Sequence, residues 1–254
     1  VESCDLLIVG GGPSGSTLAR ALRGSGLDIA LLDKSAFPRD KVCAGWVTPP
    51  IIEALGLDLA DYAAGGRVLQ PITGFRVRRI GGPDTEVHYR GEPVSYGIRR
   101  CEFDHYLLGR SGARLMAGRS FDGMRRDGAA WIVNGGIRTP LVVGAGGHFC
   151  PVARHLGAAP GRGEITVAAQ EIEFLMSPEQ RKACKVRGDT PELYFCGDLK
   201  GYGWIFRKGN YLNIGLGRED QHRLGEHVRE FCRYLHGLGR LPPGALEKFK
   251  GHAY

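Results

Sequence analysis

The chain has 254 residues, of which 43% are hydrophobic and 24% charged, a balance ordinary for a soluble globular enzyme and enough for one large domain or two interleaved ones. Lysine and arginine outnumber the acids 34 to 27, a formal charge of +7. The basic residues are scattered and form no recognition module, which argues against nucleic acid and leaves either a basic surface with no special partner or one that meets a polyanionic cofactor, an acidic substrate or an anionic membrane surface.

The first apolar run, Leu6 to Val9, is too short for a signal peptide or a membrane span. With Asp5 it predicts a buried strand that enters Gly10-Gly11-Gly12, followed by a helix from Pro13 with Leu18, Ala19 and Leu22 facing inward. A second apolar run, Leu27 to Leu32, ends at Asp33. Two apolar strands joined by a helix form a βαβ unit, so they should lie parallel and be buried on both faces. From about Gly66 the texture changes to β-branched and aromatic runs separated by turns such as Gly81-Gly82-Pro83-Asp84, which predicts antiparallel strands. Glu102 to Leu108 reads as a helix. Three short strands follow, punctuated by the hairpin signals Asp127-Gly128 and Asn134-Gly135-Gly136; the last, Leu141 to Val143, runs into Gly144-Ala145-Gly146-Gly147. A second β-rich stretch spans Glu164 to Arg218, with a short helix that Ser177 and Gln180 can close as a capping box and a hairpin at Lys208-Gly209-Asn210. Gln221 to Leu238 predicts an amphipathic helix with Leu224, Val228, Phe231 and Leu235 on one face.

The seven cysteines are odd in number and include no Cys-x-x-Cys pair, so neither a disulfide framework nor a zinc ribbon is indicated and a reduced, cytoplasmic setting is expected. His222, His227, Cys232 and His236 match no ligand spacing, and no metal is expected.

Gly10-x-Gly12-x-x-Gly15 falls directly after a strand and opens a helix. The first glycine makes the turn, the second lets a pyrophosphate approach the backbone, and the third lets helix pack on strand. The helix start at Pro13 and Ser14 offers unpaired N–H groups to the phosphates. Asp33, with Lys34 beside it, ends the next strand, where a carboxylate can accept hydrogen bonds from ribose hydroxyls. This pattern alone does not separate NAD from FAD.

The stretch Gly10 to Ser16 resembles the flavoprotein form of the fingerprint found in the para-hydroxybenzoate hydroxylase superfamily. Arg39-Asp40-Lys41-Val42-Cys43-Ala44-Gly45 is similar to the R-x-K-x-C-G loop of its geranylgeranyl reductase branch, which passes near the isoalloxazine. Arg100-Cys101-Glu102-Phe103-Asp104 resembles a segment whose arginine reaches the flavin side of the cofactor, and Gly201-Tyr202-Gly203-Trp204-Ile205-Phe206 resembles the strand that lines the substrate. The resemblance implies an α/β fold in which a Rossmann-like FAD-binding domain is interleaved with an antiparallel substrate sheet. Residues 1–65 and 101–160 would form the first, 66–100 and 161–220 the second, and 221–254 a helix and the start of a return to the FAD domain. It implies cofactor contacts at Gly10, Gly12, Pro13, Ser14, Gly15, Asp33, Lys34, Lys41, Cys43, Ala44 and Arg100, and catalytic roles for Cys43, Tyr202 and Trp204. Arg39 and Lys41 would favour the thiolate of Cys43, and Arg99 is the better candidate for a salt bridge than Arg100.

The implied reaction is hydride transfer from reduced FAD to a carbon–carbon double bond of a small apolar or aromatic substrate. NAD(P)H is the candidate electron donor, and peripheral membrane contact the candidate use of the basic charge; the oligomeric state stays open. A flavin monooxygenase, either aromatic hydroxylase or halogenase-like, is the alternative, and an incomplete fragment that binds FAD weakly or not at all is another. Three departures from the family pattern stand out. Gly146 replaces the aspartate of a G-A-D-G segment, and Arg207 replaces the proline after Phe206. The later G-D-A-A-G segment is absent: Cys196-Gly197-Asp198 is a decoy in the sheet region, so the chain reads as C-terminally truncated.

Overall fold

The computed structural model describes residues 2–159, 161, 164–220, 223–242, 244 and 249–253. Two compact units result: Val1–Asp40 with Cys101–Glu164, and Lys41–Arg100 with Ile165–Tyr254. Residues 41–65 therefore pack with the second unit, although the sequence places them with the first.

The first unit is built on a four-stranded, all-parallel sheet in the order Leu141–Gly144, Leu6–Val9, Ile29–Asp33, Arg114–Ala117. The two central strands, LLIV and IALLD, are buried at every residue, as a parallel sheet covered on both faces requires. Their side chains divide by the two-residue period. Leu6, Ile8, Ile29 and Leu31 pack with Ala19 of the helix Pro13–Ala21 and with Leu108 of the helix Arg100–Gly109. Leu7, Val9, Ala30 and Leu32 face Met124, Val133 and Ile137, which belong to a second sheet ordered Glu2–Ser3, Ile137–Thr139, Ala130–Val133, Met124–Asp127. The turn after Asp127 is the expected hairpin, with Gly128 at φ 61°, the left-handed conformation that a tight hairpin needs.

Two details differ from the sequence reading. Leu141–Gly144 leaves the meander and joins the parallel sheet beside Leu6–Val9. Arg114–Ala117, not read as a strand, forms the sheet's other edge; only Met116 of its four residues is buried, so its apolar signal is weak.

The second unit has a seven-stranded sheet in the order Lys250–Ala253, Ala168–Leu175, Tyr211–Arg218, Gly201–Lys208, Glu192–Phe195, Gly74–Arg79, Asp84–His88. It is antiparallel except where Glu192–Phe195 pairs parallel with Gly74–Arg79. The helix Leu224–Gly237 buries Leu224, Val228, Phe231 and Leu235 against Tyr194, Ile205, Ile214 and Leu216. Gln221 and His222, at the expected start of that helix, lie outside the described residues. The segment expected to begin a return to the first domain instead adds Lys250–Ala253 to the edge of this sheet. The capping box forms as read, with Ser177 and Gln180 bonding each other's backbone. A small sheet of Trp46–Val47, Ser95–Ile98 and Leu69–Ile72 completes the unit.

Candidate functional site

In the first unit the glycine fingerprint is shaped by close backbone approach. Gly10 has φ 118°, and a Cβ there would lie 2.4 Å from the carbonyl oxygen of Ala145; a Cβ on Gly15 would lie 1.9 Å from that of Gly10. Gly12 is different. A Cβ there would meet only Arg39 Nη2, at 3.5 Å, so the space over this glycine is open on every side but that of a cation. Gly12 is the N-cap of the helix Pro13–Ala21, whose first turn carries no acidic residue. Ser14 is exposed, and the N–H groups of Ser14 and Gly15 belong to the first turn, where no intrahelical acceptor exists. The resulting partial positive charge favours an anion.

Arg39 reinforces that preference. Its guanidinium lies 4.8 Å from the centroid of the Phe37 ring and 3.3 Å from Asp104, which is fully buried. Its Nη1 is buried and faces the Asp104 carboxylate, while Nη2 is the atom nearest the open space over Gly12. Asp33 is buried, and its two oxygens accept from Gly11 N–H at 2.7 Å and Ser35 N–H at 2.8 Å. The carboxylate thus braces the glycine turn and keeps a lone pair on each oxygen for a ribose hydroxyl. Lys34 is exposed next to it. At the second glycine segment, a Cβ on Gly146 would come 2.9 Å from Pro151 Cδ and 3.0 Å from Cys150 Cα. An aspartate in place of Gly146 would therefore collide with Pro151 and Cys150.

In the second unit the Cys43 loop lies on one face of the large sheet, and polar side chains from three adjacent strands hold its backbone. Glu171 Oε1 accepts from Cys43 N–H at 2.5 Å. Asn213 Nδ2 donates to Cys43 O at 3.4 Å, and Lys208 Nζ to Ala44 O at 3.0 Å and Ile98 O at 2.9 Å. Lys208 also forms an ion pair with Glu173. Asn213 is fully buried and Lys208 is 1% exposed. Burial pushes the Glu171 carboxyl up to about 6, against the lowering effects of the Cys43 N–H, Lys208 and Asn213.

Trp204 donates its indole N–H to Asn213 Oδ1 at 2.7 Å and packs with Phe206, Ala169, Leu193 and Ala44. It is buried beneath the loop, whereas Tyr202, two residues earlier on the same face, is 44% exposed. From there aromatic rings continue across the sheet: Phe195 lies 6.1 Å from Tyr202, Trp46 lies 5.8 Å from Phe206 and 5.1 Å from Phe75, and Tyr89 lies 6.4 Å from Phe75.

The predicted residues thus fall into two groups. Gly10, Gly12, Pro13, Ser14, Gly15, Asp33 and Lys34 lie in the first unit, and Lys41, Cys43, Ala44, Arg100, Tyr202 and Trp204 in the second. Lys41 Nζ lies 2.8 Å from His252 Nε2, and the side chains that bind the Cys43 backbone are those of Glu171 and Asn213. Arg100 opens the helix Arg100–Gly109, and Arg99 bonds Glu173 at 3.0 Å, the salt bridge expected of it. The sequence reading passed over Glu171, Glu173, Lys208 and Asn213. The signal was available in Gln170-Glu171-Ile172-Glu173-Phe174, where two acids recur at the strand period. Among the described residues no group of three or more His, Cys, Asp and Glu could hold a metal, and no helix is long and apolar enough to cross a membrane.

Residues 8–39 match the family model of the NAD(P)-binding Rossmann-like domain. The chain is 29% identical over 243 residues to a menaquinone reductase of Mycobacterium tuberculosis (strain CDC 1551 / Oshkosh), covering 85% of this chain and 55% of the relative. It is 27% identical over 265 residues to a digeranylgeranylglycerophospholipid reductase of Methanocaldococcus jannaschii, covering 97% of this chain and 63% of that one. In fold it is similar, with a TM-score of 0.76 and 19% identity, to a geranylgeranyl bacteriochlorophyll reductase-like protein from Thermoplasma acidophilum; the match covers 100% of this chain and 66% of the other. The chain thus spans about half to two thirds of the length of the relatives it matches. It carries a Rossmann-like dinucleotide-binding domain, and its relatives along most of its length bear the names of menaquinone and geranylgeranyl-type reductases, in line with the resemblance its motifs carry.

Proposed function

We propose that this chain is the FAD- and substrate-binding part of a flavin-dependent reductase that saturates a carbon–carbon double bond in an apolar, prenyl-like substrate. The observation that carries the cofactor reading is the cradle at Gly12, with open space where a Cβ would stand, a helix N-terminus below it and the Arg39 guanidinium beside it. Gly10 and Gly15 shape the turn, Asp33 takes the ribose hydroxyls, and Lys34, Lys41, Ala44 and Arg100 are further candidate contacts. When bound, reduced FAD supplies the hydride, with NAD(P)H as the candidate donor upstream. Saturation also needs a proton on the second carbon, and the Cys43 thiol is the candidate acid.

The aromatic face through Phe75, Trp46, Phe206, Phe195 and Tyr202 supports an apolar substrate. It offers rings rather than charges, so a long hydrocarbon can leave water along it. In this reading Tyr202 touches the substrate and Trp204 supports the floor. Such substrates reside in membranes, and the net positive charge suits peripheral contact with an anionic surface.

The test is the visible absorption spectrum of the purified chain, followed by release and identification of any bound chromophore. Stoichiometric FAD is expected. A colourless protein that also fails to take up added FAD would overturn the reading for this chain.

A further inference from the structure

The loop Cys43–Gly45 is held by a hydrogen bond at each of its three residues. Cys43 N–H goes to Glu171, Cys43 O accepts from Asn213, and Ala44 O from Lys208; Gly45 O accepts from Ile98 N–H at 2.7 Å. The first of these bonds ends on a carboxylate whose burial raises its affinity for a proton. Glu171 is 5% exposed, and it shares the Asn213 amide with Glu173, which Lys208 neutralises. The sheet therefore offers one paired carboxylate and one that meets the loop backbone.

We propose that Glu171 is a positioning residue for the Cys43 loop: its carboxylate fixes the loop by a charge-assisted bond from the Cys43 N–H, and protonation of that carboxylate loosens the loop and shifts the thiol. A bond from an N–H to a carboxylate is shorter and about twice as strong as one to a neutral acceptor, so gain of a proton weakens the anchor without removing it. The burial that raises the affinity of Glu171 for protons puts this change near pH 6. The catalytic consequence rests on the reading of this loop as the flavin-side loop; the structural claim does not.

Several other groups face Glu171 and must be separated from it. Glu173 lies on its own strand and is bonded to Arg99 and Lys208. Lys250 stands opposite Glu171 in the strand register, and His252, two residues on along that strand, contacts Lys41 of the loop segment. His252 is the control that matters, because histidine ordinarily titrates in the same range.

The experiment uses the full chain without added cofactor, labelled with 15N-cysteine, with the Cys43 resonance identified by its loss in Cys43→Ser. The Cys43 amide proton is followed from pH 5 to 8. In parallel, the rate of iodoacetamide labelling at Cys43 is read by peptide mass spectrometry. In the wild type the amide should move with a midpoint near pH 6. Its alkylation rate should depart threefold or more from a single thiol ionisation curve across the same range. Glu171→Gln should abolish both effects, and His252→Asn should keep them. An amide that does not titrate, or wild-type behaviour in Glu171→Gln, overturns the proposal. If Glu171→Gln fails to fold, judged by the resonances of Cys4 and Cys232, the wild-type titration against His252→Asn decides alone. None of these readouts needs FAD, so a failure of the flavin reading leaves this result standing and the converse holds as well.

Discussion

At the scale of single residues, the buried acids make a prediction about stability whose sign is fixed by the direction of the pKa. Glu171 is raised by burial from an ordinary 4.5 to about 6. The folded chain therefore holds this proton where the unfolded chain has lost it, and the favourable contribution, full below about pH 4.5, is lost as pH rises through 6. A shift of this size corresponds to about 2 kcal/mol. Glu171→Gln keeps an acceptor for the Cys43 N–H and removes the buried charge. Its stability relative to the wild type should therefore rise between pH 4.5 and 6.5, by up to about 2 kcal/mol, and then level off. Urea midpoints at pH 4.5, 6 and 8 measure this; a difference that stays flat with pH would show that Glu171 does not titrate there. Lys208 contributes through its contacts. Its ammonium pairs with Glu173 and caps two carbonyl groups while 1% exposed. Lys208→Met should cost about 1–3 kcal/mol, because two carbonyl acceptors go unmet while Glu173 keeps Arg99 and Asn213 as partners.

At the scale of elements, the glycine fingerprint separates folding from binding. Alanine is ordinarily better than glycine inside a helix by about 1 kcal/mol, yet a Cβ on Gly15 meets the Gly10 carbonyl oxygen at 1.9 Å. Gly15→Ala should therefore lower stability by about 1–3 kcal/mol, as overpacking does. Gly12→Ala meets nothing closer than Arg39 Nη2 at 3.5 Å; its melting temperature should stay near that of the wild type while FAD uptake falls at least tenfold. Equal losses of stability in both variants would remove the distinction. Gly146→Asp should be destabilised by about 1–3 kcal/mol through its clash with Pro151 and Cys150.

These elements also show where a sequence can be read and where it cannot. The strand–helix–strand opening was legible because two runs buried on both faces leave no ambiguity of face. The capping box and the hairpin at Gly128 were legible because each is a local device with its own residue types. The loop anchors were not. Glu171 and Glu173 alternate with Ile172 in a manner that fits a solvated outer face equally well, and only the strand register and the loop laid over it make that face a buried one. Likewise, residues 41–65 carry no composition break that would separate them from residues 1–40; their place is decided by pairings such as Trp46–Val47 with Tyr96–Gly97, some fifty residues away.

At the scale of the whole molecule, the question is what a net charge of +7 does. Many arginines are spent on neighbouring acids: Arg76 on Glu86, Arg78 on Asp84, Arg187 on Asp189, and Arg218 on both Asp198 and Asp220. Pairing redistributes the charge without cancelling the excess, since the basic residues outnumber the acids by seven. The surface should therefore be attracted to an anionic bilayer by about 1 kcal/mol for each basic side chain brought near it. That attraction is screened beyond about 10 Å at 0.1 M salt and beyond about 3 Å at 1 M. An apolar contact through the exposed aromatic face would respond differently, since the release of apolar surface from water does not weaken with salt. Sedimentation with sucrose-loaded vesicles distinguishes the two. Binding to phosphatidylglycerol vesicles at about 0.05 M salt, lost at about 0.5 M and absent with phosphatidylcholine alone, is the result expected of the charge. Retention on both lipids at high salt would instead assign membrane contact to the rings of Tyr202, Phe195 and Tyr89, and substitution of those residues by serine would then remove it.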